Sequence, residues 1–135
     1  MDSRLFIGAS AAIIGALGSI HLAYTFFTDK FDPRDAALRE RLQAVSPVIT
    51  RGTTMWKAWI GFNASHSLGA MLFGVVYGYL ALVRGEWLAA SPFLLALGLL
   101  FLGGYMVLAR LYWFSVPQRG VALALALYLA GVAMA

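Results

Sequence analysis

The sequence predicts an all-α integral membrane protein: a four-helix bundle with a short amphipathic interfacial helix between its first and second spans. Three observations predict it. Of the 135 residues, 61% are hydrophobic and only 12% charged, where a soluble domain would carry about a quarter charged residues. Four apolar stretches are each long enough to cross a bilayer, which takes ~20 helical residues. The charges crowd into short regions flanking those stretches, the pattern of a topology signal. The net charge of +4 therefore argues for membrane lipid as a partner and for no nucleic acid. The length suits a single transmembrane domain, residues 1–135. Mean hydropathy is +0.80. The absence of cysteine excludes disulfides, thiolate metal sites and Cys nucleophiles.

The spans are expected at about 5–27, 56–83, 90–114 and 116–135, with one sizeable loop at about 28–55. The first has the position of a signal peptide. Its apolar run exceeds an h-region, and "ASA" (Ala9 to Ala11) comes too early for cleavage, so it reads as a retained helix. Ala11, Gly15, Ser19 and Ala23 recur along it at four-residue spacing, a stripe that admits close approach of another helix. "GVVYG" (Gly74 to Gly78) in the second span is a short version of the same device. The third span starts near Trp87 or Pro92.

Capping residues followed by Pro mark helix starts at Asp32-Pro33, Ser46-Pro47 and Ser91-Pro92. "SVPQ" (Ser115 to Gln118) reads as a capping box, with Ser115 at the cap. In the loop, "DPRDAALRERLQAV" sets Leu38, Leu42 and Val45 at helical spacing while Arg34, Arg39, Glu40 and Arg41 point elsewhere. This is the pattern of a short helix lying on a membrane surface. Asp32 and Asp35 read as the capped, positive end of that helix rather than as catalytic acids. No repeat relates the two halves, against a transporter built from repeats.

Lys and Arg set the orientation. Lys30, Arg34, Arg39, Arg41, Arg51, Lys57, Arg110 and Arg119 fall on one side, and only Arg4 and Arg84 on the other. By the positive-inside rule the large loop is cytoplasmic and both termini lie outside. The expected location is a bacterial inner (plasma) membrane. Trp56, Trp59, Tyr112 and Trp113 read as an interfacial belt on the cytoplasmic side, with Trp87 on the other.

The candidate site comes from polar groups set where hydrocarbon is the solvent. His21 and His66 are the chain's only two histidines. Each lies seven to nine residues from the cytoplasmic end of its span, roughly 10–14 Å deep at ~1.5 Å per residue. His66 shares its helix face with Trp59, Phe62 and Asn63; His21 shares its own with Tyr24, Thr25 and Thr28. Ser65 and Ser67 adjoin His66 but point away from it. Tyr105 lies at similar depth in the third span, and Arg110 and Arg119 lie nearer the surface. A cytoplasm-facing pocket would have His21, Asn63, His66 and Tyr105 at its floor, Tyr24 and Trp59 on its walls, and Arg110 and Arg119 at its rim.

Such a pocket suits a small apolar ligand or redox cofactor. Two imidazoles could ligate a b-type haem axially, which would make His21 and His66 metal ligands. Gly18 and Gly69 would leave room for the macrocycle and the arginines would meet propionates. A quinone fits equally, since His, Asn and Tyr donate to carbonyls and aromatics supply walls. Metal hydrolysis normally takes three protein ligands, and no carboxylate lies within a span. A serine hydrolase needs a Ser–His pair with an orienting acid. A lipid-modifying enzyme using a His as acid or base lacks a partner carboxylate. A different class of reading makes the chain an accessory or structural subunit of a larger membrane complex or a homo-oligomer. The histidines are then interhelical hydrogen-bonding glue. "NAS" (Asn63 to Ser65) matches a glycosylation acceptor but falls inside a span.

"HLAYTFF" (His21 to Phe27), followed by "DPRD" and "WKAWIGFNASHSLG", resembles a group of small bacterial four-helix membrane proteins without an assigned activity. The likeness covers the first half of the chain and implies the four-span fold but no catalytic residue. Size and span count also resemble DoxX-like proteins.

Overall fold

Four helices are long and apolar enough to cross a membrane: α1 (Ser3–Phe27), α3 (Met55–Val83), α5 (Pro92–Tyr112) and α6 (Ser115–Ala133). Two short helices, α2 (Ala36–Ala44) and α4 (Gly85–Ala89), complete an all-α helical bundle. The structure is a computed structural model and describes residues 2–135. No strand occurs among the described residues. The chain forms two compact units, Met1–Leu17 with Ala70–Ala135, and Gly18–Gly69.

Helix starts follow local capping chemistry, though not at every expected residue. Ser91 caps α5 as the Ser-Pro pair predicts: its side chain accepts from Leu94 N, with Pro92 in the first turn. The third span therefore begins at Pro92, and Trp87 lies in the separate helix α4, 62% exposed. The cap of α2 is Asp35 and not Asp32; Asp35 Oδ1 accepts from Ala37 N at 2.9 Å. Asp32 instead pairs with Arg39 Nε at 2.9 Å, one turn into the helix. A free N–H three residues away is the weaker attraction when a guanidinium is within reach. No helix starts at Ser46-Pro47. Residues 45–54 form an irregular connection, closed at its base by Met55 N donating to Val45 O at 2.8 Å. At α6 the capping box does not form. Phe114 is the cap residue, makes no side-chain cap bond, and Ser115 is already helical.

The unit built on residues 70–135 holds the apolar core. Ile7, Ala11, Ile14, Phe73, Tyr77, Leu102, Val121 and Tyr128 are buried there among others. Small residues let its helices close up. A Cβ on Gly74 would lie 2.7 Å from Gly15 Cα and 2.9 Å from Ala11 O. Ala11, Gly15 and Gly74 are thus a contact of backbone on backbone, as the small-residue stripe predicts. The stripe works over only half its length, since Ser19 and Ala23 are exposed. Gly98 makes room for aromatics: a Cβ there would meet Tyr128 Cζ at 2.6 Å and Tyr77 Cε1 at 2.8 Å. The two phenols donate to the α5 carbonyls beside it, Tyr77 to Leu94 O at 2.7 Å and Tyr128 to Leu95 O at 3.0 Å. Ser10, fully buried, donates to Ala124 O at 2.7 Å. Each buried hydroxyl has an acceptor, which burial in an apolar core demands.

The unit Gly18–Gly69 is built differently. It comprises the last turns of α1, the helix α2 with its connections, and the first turns of α3. None of its hydrophobic side chains is buried; Thr25, Asn63 and Ser67 are. No residue of α2 is buried, and Leu38 and Val45 are 47% and 44% exposed.

Candidate functional site

His21 and His66 meet, each from its own helix. α1 carries His21 six residues before its end, and α3 carries His66 eleven residues after its start. Their rings meet edge to face, with centroids 5.1 Å apart and planes at 76°. The other face of the contact is Phe31, whose ring lies 4.4 Å from the His21 ring.

Asn63 sits one turn before His66 on α3 and fixes the orientation of His21. Asn63 Nδ2 donates to Trp59 O at 2.9 Å. A carbonyl oxygen only accepts, so the amide orientation of Asn63 is determined and its Oδ1 faces away from Trp59. That Oδ1 lies 2.9 Å from His21 Nε2. Since Oδ1 also only accepts, His21 Nε2 carries the proton, and in the neutral ring Nδ1 is the lone-pair nitrogen. The relay continues outward: Trp59 Nε1 donates to Phe31 O at 3.0 Å. One chain of hydrogen bonds thus links α1, the connection after it and α3, and it sets the tautomer of one histidine.

Hydroxyls add second bonds to two helix carbonyls. Thr25 donates to His21 O and Ser67 to Asn63 O, both at 2.8 Å. Ser67 is fully buried, so it belongs to the support of Asn63 although it points away from His66. Ser65 is exposed and donates to Phe62 O at 3.1 Å. Phe62, on the expected face of His66, is 75% exposed. A second link ties α2 to α3: the Arg39 guanidinium lies 5.0 Å over the Trp56 ring while its Nε holds Asp32 at 2.9 Å.

Of the expected pocket residues, the structure gathers His21, Asn63, His66 and Trp59. Tyr24 is 39% exposed, one turn on from His21, with the Lys30 ammonium 5.0 Å over its ring. Tyr105, Arg110 and Arg119 belong to the unit of residues 70–135. Tyr105 there stacks on Phe101 at 4.4 Å and meets Trp113 edge to face at 5.7 Å. It extends an aromatic column in which Phe73 stacks on both Phe101 and Tyr77, at 4.6 and 4.5 Å. Arg110 and Arg119 are exposed.

Sequence reasoning missed Phe31. It supplies both a ring against His21 and the carbonyl that accepts from Trp59. Its signal was a lone aromatic in the charged run "KFDPRD". Among the described residues no three His, Cys, Asp or Glu side chains converge as a metal site would require. Comparison with protein-family models, with characterised proteins and with solved structures found no match.

Proposed function

We propose that the protein binds a small apolar ligand bearing a carbonyl or hydroxyl, of the quinone class, at the paired histidines His21 and His66. It would do so within a bacterial inner membrane. The observation that carries this is the edge-to-face contact of the chain's only two imidazoles at 5.1 Å. Ionisable side chains within membrane helices are costly and face an interior or a pathway. One buried Asn suffices to join two helices; two imidazoles in the same layer exceed that need. Neighbouring Trp59 and Tyr24, part-exposed at 46% and 39%, offer aromatic walls beside donors. On this reading the large basic loop is cytoplasmic, both termini are outside, and α2 lies along the lipid interface.

The haem version of the reading asks more of the site. Axial ligation needs both imidazoles to face one iron across a macrocycle. His21 Nε2 is held by Asn63, and the two rings are in contact. Both contacts would have to open before haem entered, whereas a ligand hydroxyl can donate to the His21 Nδ1 lone pair with the Asn63 bond left in place.

One observation favours a second reading. The relay from His21 through Asn63 and Trp59 to Phe31 is complete without any ligand. An accessory subunit of a larger membrane complex, with the histidines as interhelical glue, would use it that way. Protein purified in detergent, with its visible spectrum and the mass spectrum of its extracted lipids, separates the readings. A quinone-class lipid enriched with the wild type and lost from both His21→Ala and His66→Ala is the expected result. A Soret band lost in both variants would replace quinone by haem. No co-purifying ligand, with both variants folded and retaining the same protein partners in pull-downs, would leave the structural reading.

A further inference from the structure

The connection before α3 ends in the most exposed apolar side chains of the unit Gly18–Gly69. Val48 and Ile49 have relative exposures of 108% and 91%. They are not loose ends. Thr50 N donates to Pro47 O at 3.2 Å, Gly52 N to Thr50 Oγ1 at 3.0 Å, and Met55 N to Val45 O at 2.8 Å. The turn is therefore closed at its base and at its tip, with Pro47 fixing the backbone ahead of the two β-branched residues. A hydrogen-bonded turn that holds two adjacent apolar side chains outward suits an apolar phase that can receive them.

Reach and charge identify that phase. Ile49 is six residues from Met55, where the apolar helix α3 starts. Six extended residues span at most ~20 Å, so the tip cannot leave the neighbourhood of the membrane face from which α3 enters. From Arg41 to Lys57 the chain carries Arg41, Arg51 and Lys57 and no Asp or Glu. The charge nearest the apolar tip in the chain is thus Arg51, and Lys and Arg near a bilayer surface are attracted to anionic headgroups. We propose that the Val48–Ile49 turn inserts into an anionic lipid interface, with Arg51 beside it on the headgroup phosphates. It would anchor the connection between α2 and α3 to the bilayer. The proposal is independent of any ligand at the histidines.

The chain has no cysteine, so Val48→Cys and Ile49→Cys each introduce a single site for an environment-sensitive fluorophore. Both positions are exposed, and substitution there disturbs no packing. Each labelled full-length protein is reconstituted in vesicles of phosphatidylcholine with phosphatidylglycerol. Blue-shifted emission, strong quenching by lipids carrying a nitroxide near the headgroup, and weak quenching by aqueous iodide are expected. Adding Arg51→Glu, or replacing the vesicles by phosphatidylcholine alone, should reduce the lipid quenching severalfold. Full iodide quenching without lipid quenching would place the tip in water and overturn the proposal. Protection from both quenchers would mean that protein covers the tip, which overturns it equally. Lipid quenching unchanged by Arg51→Glu and by lipid charge would overturn the role assigned to anionic headgroups.

Discussion

The two compact units bury opposite kinds of side chain. In Met1–Leu17 with Ala70–Ala135 the buried residues are apolar and aromatic, brought close by glycine and alanine; its buried Ser10 is satisfied by one carbonyl. In Gly18–Gly69 the buried side chains are Thr25, Asn63 and Ser67, and the hydrophobic ones are at least partly open. The first unit is held by shape, the second by a directed hydrogen-bond chain. Shape-held contacts in an apolar medium arise from close packing of small residues. A polar chain gives less stabilisation but fixes orientation, which a binding site needs. The difference teaches where to look for function: the region whose buried groups are specific rather than merely apolar.

Three substitutions sharpen or break that contrast, each read by unfolding in detergent. Gly74→Ala should have the largest effect. Its Cβ would meet the backbone of Gly15 and Ala11, which cannot rotate away, and overpacking of this kind costs about 3 kcal/mol. Asn63→Leu should be intermediate, at about 1–2 kcal/mol. It removes the acceptor for His21 Nε2 and leaves a part-buried donor without its partner. Hydrogen exchange should show that loosening in residues 18–69, with protection of α5 and α6 retained. Trp59→Phe should be the smallest. It keeps an aromatic ring but deletes the donor to Phe31 O, a bond on an exposed side chain, for about 0.5–1 kcal/mol. If Asn63→Leu destabilises more than Gly74→Ala, the polar chain is the main support and the contrast is reversed. If Trp59→Phe alone loosens residues 28–35 as much as Asn63→Leu, the relay is anchored at Phe31 rather than at the histidine.

Much of the helix plan was legible in the residues. Apolar length located four spans to within a few residues, because a ~30 Å hydrocarbon layer leaves little freedom in helix length. Ser91-Pro92 marked its helix because both residues act on their own turn. Two other expected starts gave way to competing local partners. Asp32 was drawn to Arg39, leaving Asp35 to cap, and Ser46-Pro47 entered a closed turn in place of a helix. The stripe of small residues was visible over four positions, and Ala11 and Gly15 in it meet Gly74 backbone on backbone.

Sequence by itself determined the all-α class, the four apolar helices, the pairing of Asn63 and His66 on one face and the cationic run from Arg41 to Lys57. These follow from composition and from a period of 3.6 residues, both local properties. Only the tertiary structure decided that the two histidine rings touch, that Asn63 sets the proton of His21, and that Phe31 backs the pair. It also decided that Val48 and Ile49 stand outward on a closed turn. The histidine contact, the Asn63 bond and the Phe31 contact depend on how separate segments meet, and the outward turn on bonds within its own connection. Distances between residues 42 or more positions apart, as for His21 and Asn63, are set by packing and hydrogen-bond direction, and no local periodicity encodes them.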